Sequence, residues 1–469
     1  MKVLAIAPQP FFTPRGTPLS VYYRTLVTAE LGFDVDLLTY GQGVDADIPG
    51  VRIVRIPRFA WLGDVKVGPS LLKAFLDVWL LLWAVAMMAR NRYDVVHAHE
   101  ESVFFSRFLR PIFRFKLVYD MHSLLSQQLV NFRFTRSRLL IGVFRRLEDG
   151  CLATADAIIT ISPALAEHAV ARVREPGRHF LIENSLFDPL RLRQGPREGS
   201  ARRPRQGSPD GGARRLQQGS GTGPAPANTR DEGDNEQAGW LALLEGPRPV
   251  VLYAGTFESY QGIDLLLEAF ARLRAGGGDR PARGGGGDRR DRGGDDDTTT
   301  IGAENGPASG VGAAATRAAD PVLLLLGGRP DQVERYRAHA AQLDLLPDDC
   351  RFTGQVSREL AQRASRAAAV LTSPRTAGSN TPLKIYEQIA SGVPLVATRI
   401  DSHTQVLADD HCLLVDPDPR SMAGGLVAAL AGGEDVERRV AAARRLYQER
   451  YSPAAYRDKM RRLLALVTS

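Results

Sequence analysis

The sequence predicts an α/β protein of two doubly wound, parallel-sheet domains facing each other across a cleft. Three observations predict it. Short, continuous apolar runs alternate with helical patterns between Val3 and Ile161. The same alternation restarts at Pro249 and continues to Thr398. Two low-complexity tracts interrupt the pattern without contributing to it. Apolar strands without a polar face are hidden on both sides, which is the signature of a parallel sheet with helical crossovers.

The elements follow in order. In the first half a strand is expected at Val3–Ala7, then a Pro/Gly loop, a helix from about Pro18 to Leu31, and a strand at Asp34–Thr39. Further strands are read at Val95–Ala98, Leu117–Asp120 and Ala157–Ile161. The apolar run Val78–Ala89 falls short of the ~20 residues that span a bilayer, and Lys73 and Asp77 precede it. It reads as a core helix or a partly inserted surface helix. In the second half strands are expected at Pro249–Ala254, Val322–Leu326, Arg351–Thr353, Ala369–Thr372 and Leu395–Thr398, with a helix from about Ile263 to Leu273.

The tract from about Gln194 to Gln237 is rich in Arg, Gly, Pro, Gln and Ser, and that from about Gly276 to Ala319 holds GGGG, a charged run and TTT. Neither carries enough apolar surface to offset the entropy of ordering it. Asp295–Asp297 therefore reads as a solvated charge run, not a metal site. The expected division is a first domain at 1–193, a disordered linker at 194–240, and a second domain at 241–469 with a disordered insertion at 276–319. Right-handed crossovers gather the loops after the strand C-termini on one edge of each sheet, and the cleft is expected between those edges.

Composition narrows the class. At 469 residues, 44% hydrophobic and 24% charged, the chain is globular in character and long enough for two cores. Cys151, Cys350 and Cys412 lie far apart, so neither a disulfide frame nor a zinc site is implied, and a reducing cytoplasm fits. The apolar run of MKVLAIAPQP is too short for a signal peptide. The net charge of +7 draws much of its arginine from the low-complexity tracts, so no nucleic-acid partner is read from it. Between Phe104 and Lys116, aromatics interleave with Arg107, Arg110, Arg114 and Lys116. That pattern fits a peripheral contact with anionic membrane, or a helix with a buried aromatic side and a solvated charged side.

The most informative stretch is 372–398, TSPRTAGSNTPLKIYEQIASGVPLVAT. A loop of small residues feeds a helix N-terminus, where unpaired N–H groups and the helix dipole favour a phosphate. Glu387, near the start of that helix, is placed to accept hydrogen bonds from ribose hydroxyls, or simply to complement the dipole.

Several segments in one order carry a resemblance: Pro14–Thr17, Asp94–His99, Asp120–Ser123, Ala155–Ser162, Asn184–Ser185, Tyr253–Thr256 with Gln261–Gly262, Leu326–Gly328, and the stretch above. Together they resemble the GT-B glycosyltransferases of family 4, the retaining nucleotide-sugar transferases, over essentially the whole chain outside the two tracts. The resemblance implies transfer of a sugar from a nucleotide-diphosphate sugar to an envelope, polysaccharide or lipid-linked acceptor. It implies no metal and no cofactor beyond the nucleotide sugar as co-substrate. A cytoplasmic location follows, at the inner face of the plasma membrane if the basic–aromatic segment meets lipid.

In the resemblance His122 contacts the donor sugar. Gly16 and Thr17 offer amides to phosphate on closure, assisted by Arg15, although Gly16 also fits a tight turn. Gly255 and Thr256 border the diphosphate. Ser379, Asn380 and Thr381, with Pro382 and Leu383, offer amides and hydroxyls to the sugar and β-phosphate. Of His97 and His99, one is expected to pack and the other to line the acceptor side.

The chain departs from the family pattern at three places. Ser379 stands where the first of two spaced glutamates is usual, Gln261 stands in place of a phosphate-binding lysine, and Gly16–Thr17 replaces Gly–Gly. Charge developing on a departing phosphate needs preorganised donors. With Gln261 neutral, Arg375 and Lys384 are the substitutes within the block, one a fork and the other a point charge. The plain alternative is a surface pairing for Arg375 and a solvated Lys384. Other classes stay open at this stage: a nucleotide-sugar epimerase, a phosphorylase (though no pyridoxal-lysine motif is present), or a non-catalytic nucleotide-sugar-binding protein.

Overall fold

The computed structural model describes residues 1–12, 16–59, 70–125, 137–184, 239–276, 320–378 and 381–469. Arg15, Ser379, Asn380, Asp295–Asp297 and both low-complexity tracts lie outside the described residues.

The first domain holds a seven-stranded sheet in the order β3-β2-β1-β4-β5-β6-β7. Its strands are β1 (Lys2–Ala7), β2 (Asp34–Thr39), β3 (Val51–Arg55), β4 (Val95–His99), β5 (Lys116–Met121), β6 (Ala157–Thr160) and β7 (His179–Leu181). All its pairings are parallel. Helices α1 (Gly16–Glu30), α2 (Leu71–Arg90), α3 (Ser102–Phe113), α4 (Arg138–Thr154) and α5 (Pro163–Val170) cover it. Along β1, Val3, Ala5 and Ala7 enter one core while Leu4 and Ile6 enter the other. That two-sided burial is why the strand reads as unbroken apolar sequence.

The second domain repeats the plan with six parallel strands in the order β10-β9-β8-β11-β12-β13. They are β8 (Val250–Ala254), β9 (Val322–Leu326), β10 (Cys350–Gly354), β11 (Val370–Ser373), β12 (Leu395–Thr398) and β13 (Leu413–Val415). Helices α6 (Ile263–Arg274), α7 (Pro330–Gln342), α8 (Arg358–Ala367), α9 (Leu383–Ser391), α10 (Asp401–Thr404), α11 (Pro419–Ala431) and α12 (Glu434–Leu446) complete it. In each sheet the strand order reverses once, between β1 and β4 and between β8 and β11. Ligands of doubly wound sheets bind at that crevice, beyond the strand C-termini.

The last helix, α13 (Pro453–Thr468), is continuous in sequence with the second domain but packs into the first. Tyr456, Met460, Leu463, Leu464 and Val467 join the core built by Val3, Ala5 and α1. Helix α2 extends beyond the apolar run read from sequence, to twenty residues, long and apolar enough by length and composition to cross a bilayer. Its Leu76, Leu80, Ala84, Met87 and Met88 are nevertheless built into the first domain's core. Ser70 caps its N-terminus, accepting from the Lys73 amide.

Candidate active site

On the second domain, the loop after β11 and the loop after β8 are tied together. The Thr376 amide donates to the Tyr260 carbonyl at 2.9 Å. Gly262, at φ +73°, packs so closely that a Cβ there would lie 1.9 Å from the Pro374 carbonyl oxygen. Only glycine fits both the conformation and the gap. His403 anchors the same loop from below: its ring meets the Ser373 hydroxyl at 2.9 Å and the Thr398 carbonyl at 2.7 Å. Burial holds that imidazole down at about 4, so it is neutral near pH 7.

This scaffold delivers two cations to one place. Lys384 lies in the first turn of α9, and its Nζ is sealed from solvent with no hydrogen-bond partner. The ammonium sits 4.2 Å from the centre of the Tyr253 ring. A Cβ built on Gly255 would approach Lys384 Nζ to 3.4 Å, so the amine borders the β8 loop as well. Burial, and after it the neighbouring Arg375, lowers the amine to about 7. Arg375 is half-buried, with its guanidinium 5.0 Å from the Tyr260 ring and against Gly378. Lys384 is therefore enclosed rather than solvated.

Gln261, at the position of the missing lysine, ends a single 3-10 turn with its amide oxygen buried and without a hydrogen-bond partner. Gly255 and Thr256 are exposed at the end of β8. Pro382 forms the N-cap of α9, Leu383 begins the helix, and the Thr381 hydroxyl lies beside them. Glu387 is engaged: its Oε1 accepts from Arg358 at 2.7 and 3.2 Å and from Gln362 at 3.0 Å. Arg358 also bonds the Tyr23 hydroxyl of α1, so this group bridges the two domains. Gly16 and Thr17 open α1 on the facing edge.

On the first domain the strand ends hold a buried polar cluster centred on Asp120, the penultimate residue of β5. Arg24 Nε donates to Asp120 Oδ2 at 2.8 Å, its Nη1 to the Tyr456 hydroxyl at 2.6 Å, and its Nη2 to the Ile182 carbonyl at 2.7 Å. His97 reaches the same carboxylate at 3.0 Å and His122 at 3.2 Å. Burial alone would raise the Asp120 carboxyl, but Arg24, His122 and His99 outweigh it and hold it well below the usual range. Burial keeps His99 neutral despite Asp120. The His97 and His99 rings stack at 4.6 Å. Both are buried, as is His122.

Spacing in sequence offered no metal-ligand set, yet the fold brings donor atoms of His97, His99 and Asp120 within 4.8 Å of one another. The Arg24 guanidinium already occupies the Asp120 oxygen that faces them. A divalent ion there would meet a fixed positive charge at contact range. The cluster reads as an ion-pair network that fixes the His122 ring.

Arg24, Tyr456, Arg358 and His403 were not legible as site residues. Three act from other elements, and His403 sits in a one-turn helix with no motif of its own.

Comparison with known proteins decides the family. Residues 24–185 match the Glycosyl transferase 4-like domain, and residues 311–432 match Glycosyl transferases group 1. The chain belongs to the GT-B glycosyltransferases of family 4. A phosphatidyl-myo-inositol mannosyltransferase of Mycobacterium leprae is 35% identical over 125 residues, covering 26% of this GT-B chain and 32% of the relative. The match thus spans about a third of that relative's length. Among solved structures, sucrose-phosphate synthase from Thermosynechococcus elongatus aligns over 100% of this chain and 99% of its own, with TM-score 0.60 and 18% identity. HepE from Anabaena, solved in complex with UDP, aligns over 99% and 100% with TM-score 0.59 and 13% identity. These likenesses establish the GT-B fold.

Proposed function

We propose that this chain transfers a sugar, with retention of its anomeric configuration, from a nucleotide-diphosphate sugar to a lipid-linked polyol. The observation that carries the reading is the unpartnered, enclosed ammonium of Lys384 beside Arg375 at the start of α9. A buried cation without an anion is costly, and a diphosphate supplies the anion. Similarity to a phosphatidyl-myo-inositol mannosyltransferase favours the lipid-linked polyol.

The chemistry needs few groups. The acceptor oxygen bonds to the anomeric carbon from the face the phosphate leaves, as the bond from that carbon to the β-phosphate oxygen breaks. The acceptor's proton passes to the departing phosphate. Lys384, Arg375 and the amides at the start of α9 receive the growing charge in place of the lysine that Gln261 replaces. His122, fixed by Asp120, faces the sugar. In this reading the protein's own cations do the work a divalent ion would do. Glu387, sharing its Oε1 with Arg358, keeps its other oxygen for the ribose. The test is hydrolysis and transfer by the full chain across a panel of UDP- and GDP-sugars, with phosphatidylinositol vesicles as acceptor. Donor cleavage with retained configuration is expected; donor isomerisation without cleavage would instead favour an epimerase, and binding without turnover a non-catalytic protein.

The membrane contact belongs to the same reading. On α2, Leu71 (80% exposed), Phe75, Val78 and Leu82 form one ridge turned away from the core, and Phe108 and Ile112 stand exposed on α3 beside it. Arg110 is committed to the Thr154 carbonyl and Asp156, so the apolar ridge, rather than that arginine, is the principal contact. Replacing Phe75, Val78 and Leu82 together with serine should cut sedimentation with phosphatidylglycerol vesicles about tenfold or more, since each buried apolar side chain contributes roughly 1.5–3 kcal/mol. Unchanged sedimentation would remove α2 from the contact.

A further inference from the structure

Glu100 follows β4 directly and precedes α3, on the sheet edge that carries His122. Its backbone is in the left-handed region at φ +49°, a conformation disfavoured for a residue with a side chain. Two backbone bonds hold that conformation: the Glu100 amide donates to the Asp120 carbonyl at 3.1 Å, and its carbonyl accepts from the Val103 amide at 3.3 Å. Strain kept in place by surrounding structure clusters at functional sites.

The effect of the turn is to aim the carboxylate. The Ser123 hydroxyl lies 3.0 Å from one Glu100 oxygen and 3.3 Å from the other, so the residue after His122 orients it. One hydroxyl uses a fraction of the roughly four acceptor positions a carboxylate offers. Beside this pair the His122 ring is buried, with Nε2 turned to Asp120 and Nδ1 without a hydrogen-bond partner. Burial raises the Glu100 carboxyl to about 7, against the pull of His122. A strained turn, an oriented carboxylate and an unpartnered imidazole nitrogen thus converge at the C-terminal ends of β4 and β5.

We propose that Glu100, oriented by Ser123, seats the nucleophilic hydroxyl of the acceptor, a ring polyol such as a cyclitol or sugar. The inference rests on the transfer reading above and names the acceptor side of that site. Glu100 accepts hydrogen bonds from the hydroxyl being glycosylated or its ring neighbour, and takes no proton in the transfer itself. Carboxylates suit this task because they can accept from two vicinal hydroxyls at once.

The test measures how donor-derived sugar divides between an acceptor and water. The full chain is given the nucleotide sugar it cleaves fastest, with phosphatidylinositol vesicles, free myo-inositol or mannose as acceptor. In Glu100→Gln the ratio of transfer to hydrolysis should fall about thirtyfold or more, with acceptor KM raised more than donor KM. Ser123→Ala should give a smaller fall in the same direction, and Glu100→Asp a partial one. Thermal midpoints for each variant separate folding losses from site losses. If transfer and hydrolysis fall together and the ratio stays constant, Glu100 does not seat the acceptor. If wild-type protein hydrolyses donor but glycosylates none of the three polyols, this inference and the polyol assignment fail while donor cleavage stands. If it cleaves no donor, the transfer reading fails.

Discussion

Lys384→Met is expected to lower turnover of the nucleotide sugar about a hundredfold, the typical cost of removing one preorganised donor from a developing oxyanion. Methionine nearly matches lysine in length, so packing against Tyr253 survives. What disappears is a charge with nothing else to do: Nζ has no hydrogen-bond partner and lies at the border of the Gly255 loop. Stability should move the other way. The amine's folded value of about 7 lies below its ordinary 10.5, so between those limits the unfolded chain binds the extra proton. The resulting penalty is complete below about pH 7 and fades as pH rises towards 10.5. The methionine variant escapes it, and at neutral pH should melt no lower than wild type while catalysing far more slowly. Comparing kcat and thermal midpoints side by side checks both halves. A large fall in stability with little change in kcat would make Lys384 a packing residue.

Asp120→Asn should destabilise the first domain by roughly 3–5 kcal/mol, the cost of breaking a fully buried ion pair by removing one partner. The substitution leaves the Arg24 guanidinium buried without its counter-charge, and alters the orientation of His97 and His122 together. The pH sign follows from the same geometry. Asp120's carboxyl is held well below its ordinary 3.8, so its contribution is present above that value and is lost as pH falls through the depressed one. Wild type should therefore lose stability in acid more steeply than Asp120→Asn. Denaturant midpoints at pH 7 and pH 3 measure both effects. A change below about 1 kcal/mol at neutral pH would mean that the pair is not a structural keystone.

The sheets were legible because their strands are hidden on both faces, leaving apolar runs with no alternation to confuse. Strands β3, β7 and β13 were not. Val51–Arg55 has a half-exposed edge character, and the other two are only three residues long. The return of α13 to the first domain could not be read either, since nothing in Pro453–Thr468 says which core its Tyr456 will meet. Among site residues, Lys384 and Arg375 were read from the absence of a cation at Gln261, and the fold sets the two side chains near each other. Glu387 was read for its ribose role, but its bond to Arg358 depends on α8, a different element. Glu100 gave no signal, because a left-handed turn at a glutamate leaves no mark on local sequence.

Enclosed Lys384, beside half-buried Arg375, is read as a seat built for a diphosphate. Calorimetric titration of the full chain with UDP and GDP at pH 8, repeated in buffers of different ionisation enthalpy, measures affinity and linked protons together. One of the two nucleotides should bind with uptake of a substantial fraction of a proton, as its phosphates return Lys384 to the charged form. Affinity should weaken as pH rises further, and Lys384→Met should abolish the uptake. No binding of either nucleotide, or binding with the same proton count in wild type and Lys384→Met, would contradict it.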